Sequence, residues 1–431
     1  MRASGRKEPM KRRTSLLLPA LVGALALLGT ACAPDEGGDG GFTAGPLGAV
    51  TLEPNAAIKI ADLQTITGDT ASLGQDQVRA VDIAIADKGG KLLDHPIEHQ
   101  VEDELCKAEG GTTAGQKVAA DPQVVAVIGT SCSGAAVPAM EILTGKGIVM
   151  ISGSNTSPAL TSDRQGKKGT TNQKGYFRVA HNDIIQGQAA ANYAYEELGA
   201  KKAVTIHDGD PYTEGLANAF GTSFKELGGQ IALATAISKG DTDMRPVLTE
   251  AAATKPDIVF FPIFQPEADF IVKQAKDFPA LADTKRLMGA DGILSDTFIA
   301  IKETEGMYFS GPATPTGPAY EEFVGKYEQK YNEKPIQSFH AHAYDSANLL
   351  FAAIEKTAVR DDDGTLHIDR QKLMDQLYAT KDFQGLTGTL ACDQFGDCAD
   401  AKINVVQNTT AEKTIDQVRG NVLYTFDPQT T

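Results

Sequence analysis

The residues best suited to holding a small charged molecule lie in two turns. Val127-Ile128-Gly129-Thr130-Ser131-Cys132-Ser133-Gly134 closes one apolar run, and Ile151-Ser152-Gly153-Ser154-Asn155-Thr156-Ser157-Pro158 closes another. The first turn opens into a helix-like stretch. Unpaired backbone N–H groups and hydroxyls then gather at a helix N-terminus, where the macrodipole is positive and anions are favoured. Two such turns side by side make a pocket for a carboxylate. Each candidate also has a plainer reading: Ser133 as an N-cap, Thr156 as a polar turn residue, Asp291-Gly292 as a turn pair, Tyr212 as a half-buried surface aromatic, and Phe264 and Phe339 as core. Two other constellations carry chemistry-bearing residue types. His340-Ala341-His342 with Asp345 has metal-ligand types, but residues two apart on a helix point in different directions, and no metal or cofactor is expected. His207-Asp208 at a strand end has hydrolytic types, with Ser133 elsewhere in the chain. No Gly-x-Ser-x-Gly elbow accompanies them, and catalysis is not expected.

The N-terminus reads as an export signal. Arg2, Arg6, Lys7, Lys11, Arg12 and Arg13 form a basic stretch, 16–28 an apolar one, and Gly29-Thr30-Ala31 a small-residue site before Cys32. That apolar stretch is short for a bilayer span. The cysteine after small residues resembles the lipobox of bacterial lipoproteins, with Gly29 where a large aliphatic residue is usual. An ordinary secretory signal is the plainer alternative. Residues 33–41 are rich in Gly and Asp and read as a flexible tether. With the folded part starting near Ala56, 376 of the 431 residues remain. That is long for one compact core and suits two.

The whole chain carries a formal charge of −16, and residues 1–31 hold six basic residues and one acidic, so the chain after them stands near −21. So acidic a surface argues against nucleic acid. Besides Cys32 there are four cysteines, Cys106, Cys132, Cys392 and Cys398. They allow three pairings. Sequence proximity favours 106–132 and 392–398, and export makes disulfides the expectation; free buried thiols are the alternative.

The elements that must position these residues alternate between strand and helix patterns. Strands are predicted over 58–63, 97–101, 124–128 and 148–152, with helices over 75–87, 112–120 and 135–143 between them. This order implies a doubly wound parallel sheet with right-handed crossovers. After a polar loop at 163–172, a second alternation runs through strands at 203–206, 231–235, 258–261 and 286–288 and helices at 214–226, 244–253 and 267–277. A strand-like 306–310 follows, then helices at 320–331, 338–357 and 370–379, then β-like turns and strands over 388–426. The helices after Pro315 have no following parallel strand of their own. If they pack back on the first lobe, the chain crosses between lobes three times.

The ordered set of motifs resembles the periplasmic leucine–isoleucine–valine binding proteins, substrate-binding components of branched-chain amino acid ABC transporters. It comprises Thr67-Gly68 with Leu73-Gly74, Gly89-Gly90, Val101-Glu102-Asp103-Glu104-Leu105-Cys106, the two turns, Ile206-His207-Asp208 with Tyr212-Thr213-Glu214-Gly215, Gly289-Ala290-Asp291-Gly292 and Tyr344-Asp345. The resemblance implies two Rossmann-like lobes, a cleft that closes on ligand about a three-crossover hinge, a Cys106–Cys132 disulfide and delivery to a membrane permease. Ser133 and Thr156 would bind the ligand carboxylate, with backbone help from Ser154. Asp291 would hold the ammonium and Tyr212 would close over the polar end. Leu73, Phe264 and Phe339 would receive the side chain. Leu73 stands where the branched-chain binders carry an aromatic residue, Asp291 where they carry Glu, and Phe264 where they carry Tyr; such a pocket suits an aliphatic or aromatic side chain. The expected organisation is a signal peptide at 1–31, a lipid-anchored linker at 32–55, one lobe from 56–176 plus 314–386 and another from 177–313 plus 387–431. The expected function is capture of a small apolar amino acid by a monomeric protein held outside the cytoplasmic membrane. The alternatives are a sensory ligand-binding protein of the same fold, a binder of urea, amides or aromatic acids, and, last, an enzyme.

Overall fold

Strands that are apolar on both faces are satisfied only in a sheet covered by helices on both sides. Val124–Gly129 is such a strand, buried at all its positions. The structure, a computed structural model, describes residues 42–430; the expected signal over 1–31, Cys32 and its tether up to 41 lie outside the described residues. One sheet runs in the order Lys91–Leu92, His95–Asp103, Ile58–Gln64, Val124–Gly129, Val149–Ser152, Tyr176–Arg178. All its pairings are parallel except that of Lys91–Leu92. The second sheet runs Gln230–Ala236, Lys202–His207, Ile258–Phe260, Leu287–Ala290, Tyr308–Pro312, Ile403–Gln407, Val422–Phe426. Its last two strands are antiparallel additions.

The late helices Pro318–Tyr331, His340–Thr357 and Arg370–Tyr378 return to the first lobe. Phe323, Tyr327, Leu350, Ile354 and Leu373 pack in one apolar cluster with Ile58, Ile60 and Ile128 of its sheet. The chain therefore passes between lobes three times, giving two Rossmann-like lobes on a three-segment hinge. Both disulfides form, Cys106–Cys132 with Cα atoms 5.1 Å apart and Cys392–Cys398 with Cα atoms 3.8 Å apart. Among the described residues no helix is long and apolar enough to cross a membrane.

Several expectations need correction. The folded chain starts well before Ala56. Ala49–Leu52 pairs antiparallel with Leu366–Asp369, burying Val50 and Leu52. Further upstream, Gly45 N–H donates to Asp369 Oδ2 at 2.7 Å and Phe42 stacks on His367 at 4.4 Å. A four-residue strand offers only two apolar positions, too few for its period to stand out beside Pro54. Strand Tyr176–Arg178 and helix Asp183–Asn192 went unread, the helix because Gln188-Ala189-Ala190-Ala191 shows no apolar stripe. That strand lies whole in the first sheet, and Leu390, Cys392 and Cys398 pack in the first lobe's core. These residues therefore pack with the first lobe although they run beyond its expected limits of 176 and 386.

Arg178, fully buried, ties the second turn to the hinge. Its Nε bonds Asp397 Oδ1 at 2.5 Å, its Nη1 the carbonyls of Asn155 at 3.2 Å and Ser157 at 2.7 Å, and its Nη2 Thr161 Oγ1 at 2.6 Å. Burial favours the neutral form of Asp397, but the Arg178 charge and hydrogen bond outweigh it and hold that carboxyl below its usual range. Removing one member of a buried pair leaves the other charge uncompensated. Arg178→Met is therefore expected to lower unfolding free energy by about 3–5 kcal/mol, read by urea denaturation at neutral pH. A loss under about 1 kcal/mol, the size of a surface pair, would show that Asp397 and the turn carbonyls do not depend on Arg178.

Candidate functional site

The first turn ends at Cys132, the residue before helix Ser133–Thr144. The disulfide to Cys106 fixes this helix start against the end of strand His95–Asp103. Ser133 Oγ accepts from Ser157 N–H at 3.3 Å, which links the two turns. Ser154 is occupied inside the turn: its hydroxyl donates to Ser131 O at 2.9 Å and its N–H to Ser152 Oγ at 3.2 Å. The Ser154 N–H, expected to help hold the ligand, is thus engaged within the turn. Among the described residues, nothing accepts from the N–H groups of Ser133, Gly134 or Thr156. Helix geometry explains the first two, whose acceptors would lie before the helix. The second lobe comes close at Gly134, where a Cβ would sit 2.4 Å from Asp210 Oδ2 and would displace that carboxylate.

The opposite wall is acidic. Asp291 follows strand Leu287–Ala290 and is 4% exposed. Its Oδ1 accepts from Gln186 Nε2 at 2.5 Å and from Tyr212 OH at 3.4 Å. Burial pushes its carboxyl up to about 6 against the opposing hydrogen bonds of Gln186, its own backbone and Tyr212. Asp183, at the start of helix Asp183–Asn192, is fully buried. Its N–H donates to Thr156 O at 2.9 Å, while neither carboxylate oxygen has a hydrogen-bond partner within bonding geometry. Burial first, and then the like charge of Asp291, raise its carboxyl well above the usual range; the nearby Thr156 hydroxyl and Arg178 oppose them. Neither carboxyl makes a salt bridge among the described residues. Asp183 was not among the sequence candidates. Asn182, whose side chain caps the helix by accepting from Ile184 N–H at 3.0 Å, was the signal that could have found it.

Leu73, Phe264 and Phe339 share one apolar cluster with Tyr212 and the Cys106–Cys132 disulfide. Leu73 and Phe339 belong to the first lobe's helices and loops, Tyr212 and Phe264 to the second, so the lobes are closed on each other. Tyr212 and Phe264 pack with ring centroids 5.1 Å apart. They leave no space beside Gly292, where a Cβ would lie 2.9 Å from Phe264 and 3.1 Å from Tyr212. Ser157 Oγ donates across the cleft to Pro211 O at 2.8 Å. Outside Phe264 and Cys106 a cavity of about 440 Å3 marks the cleft mouth.

The remaining candidates are placed elsewhere. His207 Nδ1 accepts from the N–H of Gly209 at 3.1 Å, and Asp208 Oδ1 accepts from Thr213 Oγ1 at 2.5 Å and from Asp210 N–H at 2.9 Å, so both shape one turn. His340 bonds Asp76 and Tyr320, at 3.2 and 2.8 Å, whereas His342 lines a separate cavity at the hinge. Asp345 receives the N–H groups of Leu386 and Thr387, both at 2.8 Å, and so fixes the approach to the third crossover.

Comparison with known proteins agrees with the two-lobed fold. The chain is 29% identical over 315 residues to the Leu/Ile/Val-binding protein BraC3 of Rhizobium johnstonii, covering 72% of this chain and 82% of that one. Leucine binding protein LivK from Thermotoga maritima superposes with a TM-score of 0.74 at 26% identity, covering 87% of this chain and 100% of that one. The branched-chain amino acid transporter substrate binding protein LivJ from Streptococcus pneumoniae, in complex with isoleucine, gives 0.70 at 26% identity, over 86% and 100%. The periplasmic binding protein family profile matches residues 57–410. Two lobes closed about a cleft, with free N–H groups on one wall and buried carboxyls on the other, therefore belong to a member of the periplasmic binding protein family.

Proposed function

We propose that this cleft closes on a zwitterionic amino acid with an apolar side chain, for delivery to the permease of an ABC transporter. The observation that carries the reading is the pair of buried carboxyls, Asp183 and Asp291, neither in a salt bridge among the described residues. An ammonium group between them supplies the missing charge and donors. The free N–H groups of Ser133, Gly134 and Thr156, with the hydroxyls of Ser133 and Thr156, take the carboxylate. Leu73, Phe264 and Phe339 receive the side chain, where burying a leucine-sized group contributes about 1.5–3 kcal/mol. A charged side chain there costs several kcal/mol, about 2–7. Tyr212 covers the polar end. The names of the relatives, which bind leucine, isoleucine and valine, support the same choice. Nothing in the arrangement pairs a nucleophile with a base, so the protein binds without turnover. Export with a lipid on Cys32, and action as a monomer, complete the reading; mass spectrometry of the native N-terminus tests the lipid.

Calorimetry against a panel of amino acids is expected to show one branched-chain or other apolar ligand per chain. Binding of benzoate or urea with no amino acid bound would overturn the reading, because neither supplies an ammonium. Asp291→Ala is expected to lose about 2–5 kcal/mol of binding, mostly as faster dissociation. The melting temperature of the ligand-free protein should change little, since losing the buried charge offsets losing its hydrogen bonds to Gln186 and Tyr212. Parent-like affinity in this variant would make Asp291 a turn residue only.

Affinity should also depend on pH. With Asp291 up at about 6 in the empty cleft, the carboxyl is mostly neutral below that pH and must lose its proton before pairing with an ammonium. Affinity is then expected to be flat above about 6 and to fall towards tenfold per unit below it. Titration between about pH 5 and pH 8 checks this, and a constant affinity across that range would contradict it.

A further inference from the structure

We infer that Gln186 and His181 are positioning residues that set the charge of Asp291 and connect it to the hinge; this rests on the ammonium-binding role of Asp291 proposed above. Gln186 is fully buried one helical turn after Asp183. Its Nε2 donates to Asp291 Oδ1 at 2.5 Å and meets Ser310 O at 3.1 Å and Ser310 Oγ at 3.2 Å. Its Oε1 faces His181 Nε2 within hydrogen-bonding distance. A carboxamide has nearly the same shape either way round, so its partners decide which end faces Asp291. A neutral imidazole donating from Nε2 takes the oxygen end and leaves the NH2 end for the carboxylate. Without that donor the amide oxygen loses its partner, and Asp291 and Ser310 alone hold the NH2 end, so the contact with the ionised form loosens.

His181 stands in the first crossover between the lobes. It stacks on Phe339 of the first lobe at 6.0 Å, and Phe339 in turn contacts His342 at 5.4 Å. His181 and His342 line a cavity of about 210 Å3, together with residues 312–316 and 399–402 of the other two crossovers. The path from the cleft to the hinge is thus Asp291, Gln186, His181. Asp291 is faced by Asp183 and Gln186 from one helix and by Tyr212 from another. The charged and titratable groups around His181 are Arg178, Asp397 and His342. Burial keeps both imidazoles neutral, His181 down at about 4 and His342 down at about 3, so His181 stays uncharged across the range in which Asp291 titrates, and the Gln186 oxygen beside its Nε2 favours the Nε2–H tautomer. The Gln186 N–H is the largest influence holding Asp291 below the value burial alone would give.

Carboxyl 13C titration of the ligand-free protein reads this directly. In the parent, Asp291 should titrate near the value given above. In Gln186→Met, which keeps shape and removes the amide, the midpoint should rise by roughly one unit. His181→Phe keeps the stack and removes the donor, and should shift the midpoint the same way by less. Leucine affinity should follow, falling about fivefold at pH 6 and recovering to near that of the parent at pH 8 in Gln186→Met. A loss of affinity equal at all pH values, with an unmoved Asp291 midpoint, would reduce Gln186 to packing and overturn the inference. An unmoved midpoint in His181→Phe would remove His181 from it. Should Gln186→Met not fold, Gln186→Glu puts a second carboxyl against Asp291 and must raise the midpoint further if the contact exists in solution. A midpoint that moves as expected while Asp291→Asn still binds leucine like the parent would instead defeat the ammonium reading and leave the positioning contact standing.

Discussion

Two carboxyl groups buried in one cleft, neither in a salt bridge among the described residues, are a constraint that the rest of the molecule has to meet. Asp183 and Asp291 lie on different elements of the second lobe, each buried and each raised in proton affinity by burial. Charging them both in the empty, closed protein is unfavourable, and a group that brings positive charge and N–H donors relieves it. Lobe closure is what makes this discrimination strong. In an open, hydrated cleft the same carboxyls would be solvated, and an ammonium would gain little over water. The other wall works by the converse logic, since unpaired N–H groups at a helix start await an anion.

The framework holds these walls by means that do not involve the ligand. The Cys106–Cys132 disulfide fixes the helix start, and Arg178 holds the second turn from behind by its carbonyls. Asp397, the partner of Arg178, lies within the small loop closed by Cys392 and Cys398. One buried ion pair thus joins a wall of the cleft to the segment that leads into the third crossover. Tyr212 and Phe264 close against Gly292 on the far side, while Ser157 reaches Pro211 across the gap. Each of these contacts is local, yet together they make the cleft shape depend on how the two sheets meet at the hinge.

Much of this was legible in the sequence because period and punctuation agree with the fold. The apolar runs at 58–63 and 124–128 became adjacent parallel strands, and the two small-residue turns that close the runs at 124–128 and 148–152 came together as one wall. The return of the late helices followed from their lack of a partner strand. What was hidden lacked a periodic signal. Helix Asp183–Asn192 is alanine-rich with no apolar stripe, so Asp183 and Gln186 went unread with it. Arg178 was invisible for another reason: its partner is more than two hundred residues away, and no local pattern records a tertiary ion pair. Ser154 was read by its type, whereas its geometry turns both of its polar groups inward.

The central claim is that an ammonium sits between Asp183 and Asp291 while the carboxylate of the same molecule sits on the N–H groups of Ser133, Gly134 and Thr156. The crystal structure of the protein grown with leucine tests this most directly. The account requires the ligand nitrogen within about 3 Å of a carboxylate oxygen from each of Asp183 and Asp291, with the ligand carboxylate against the helix start. A ligand bound the other way round, or one whose nitrogen touches neither aspartate, would contradict it.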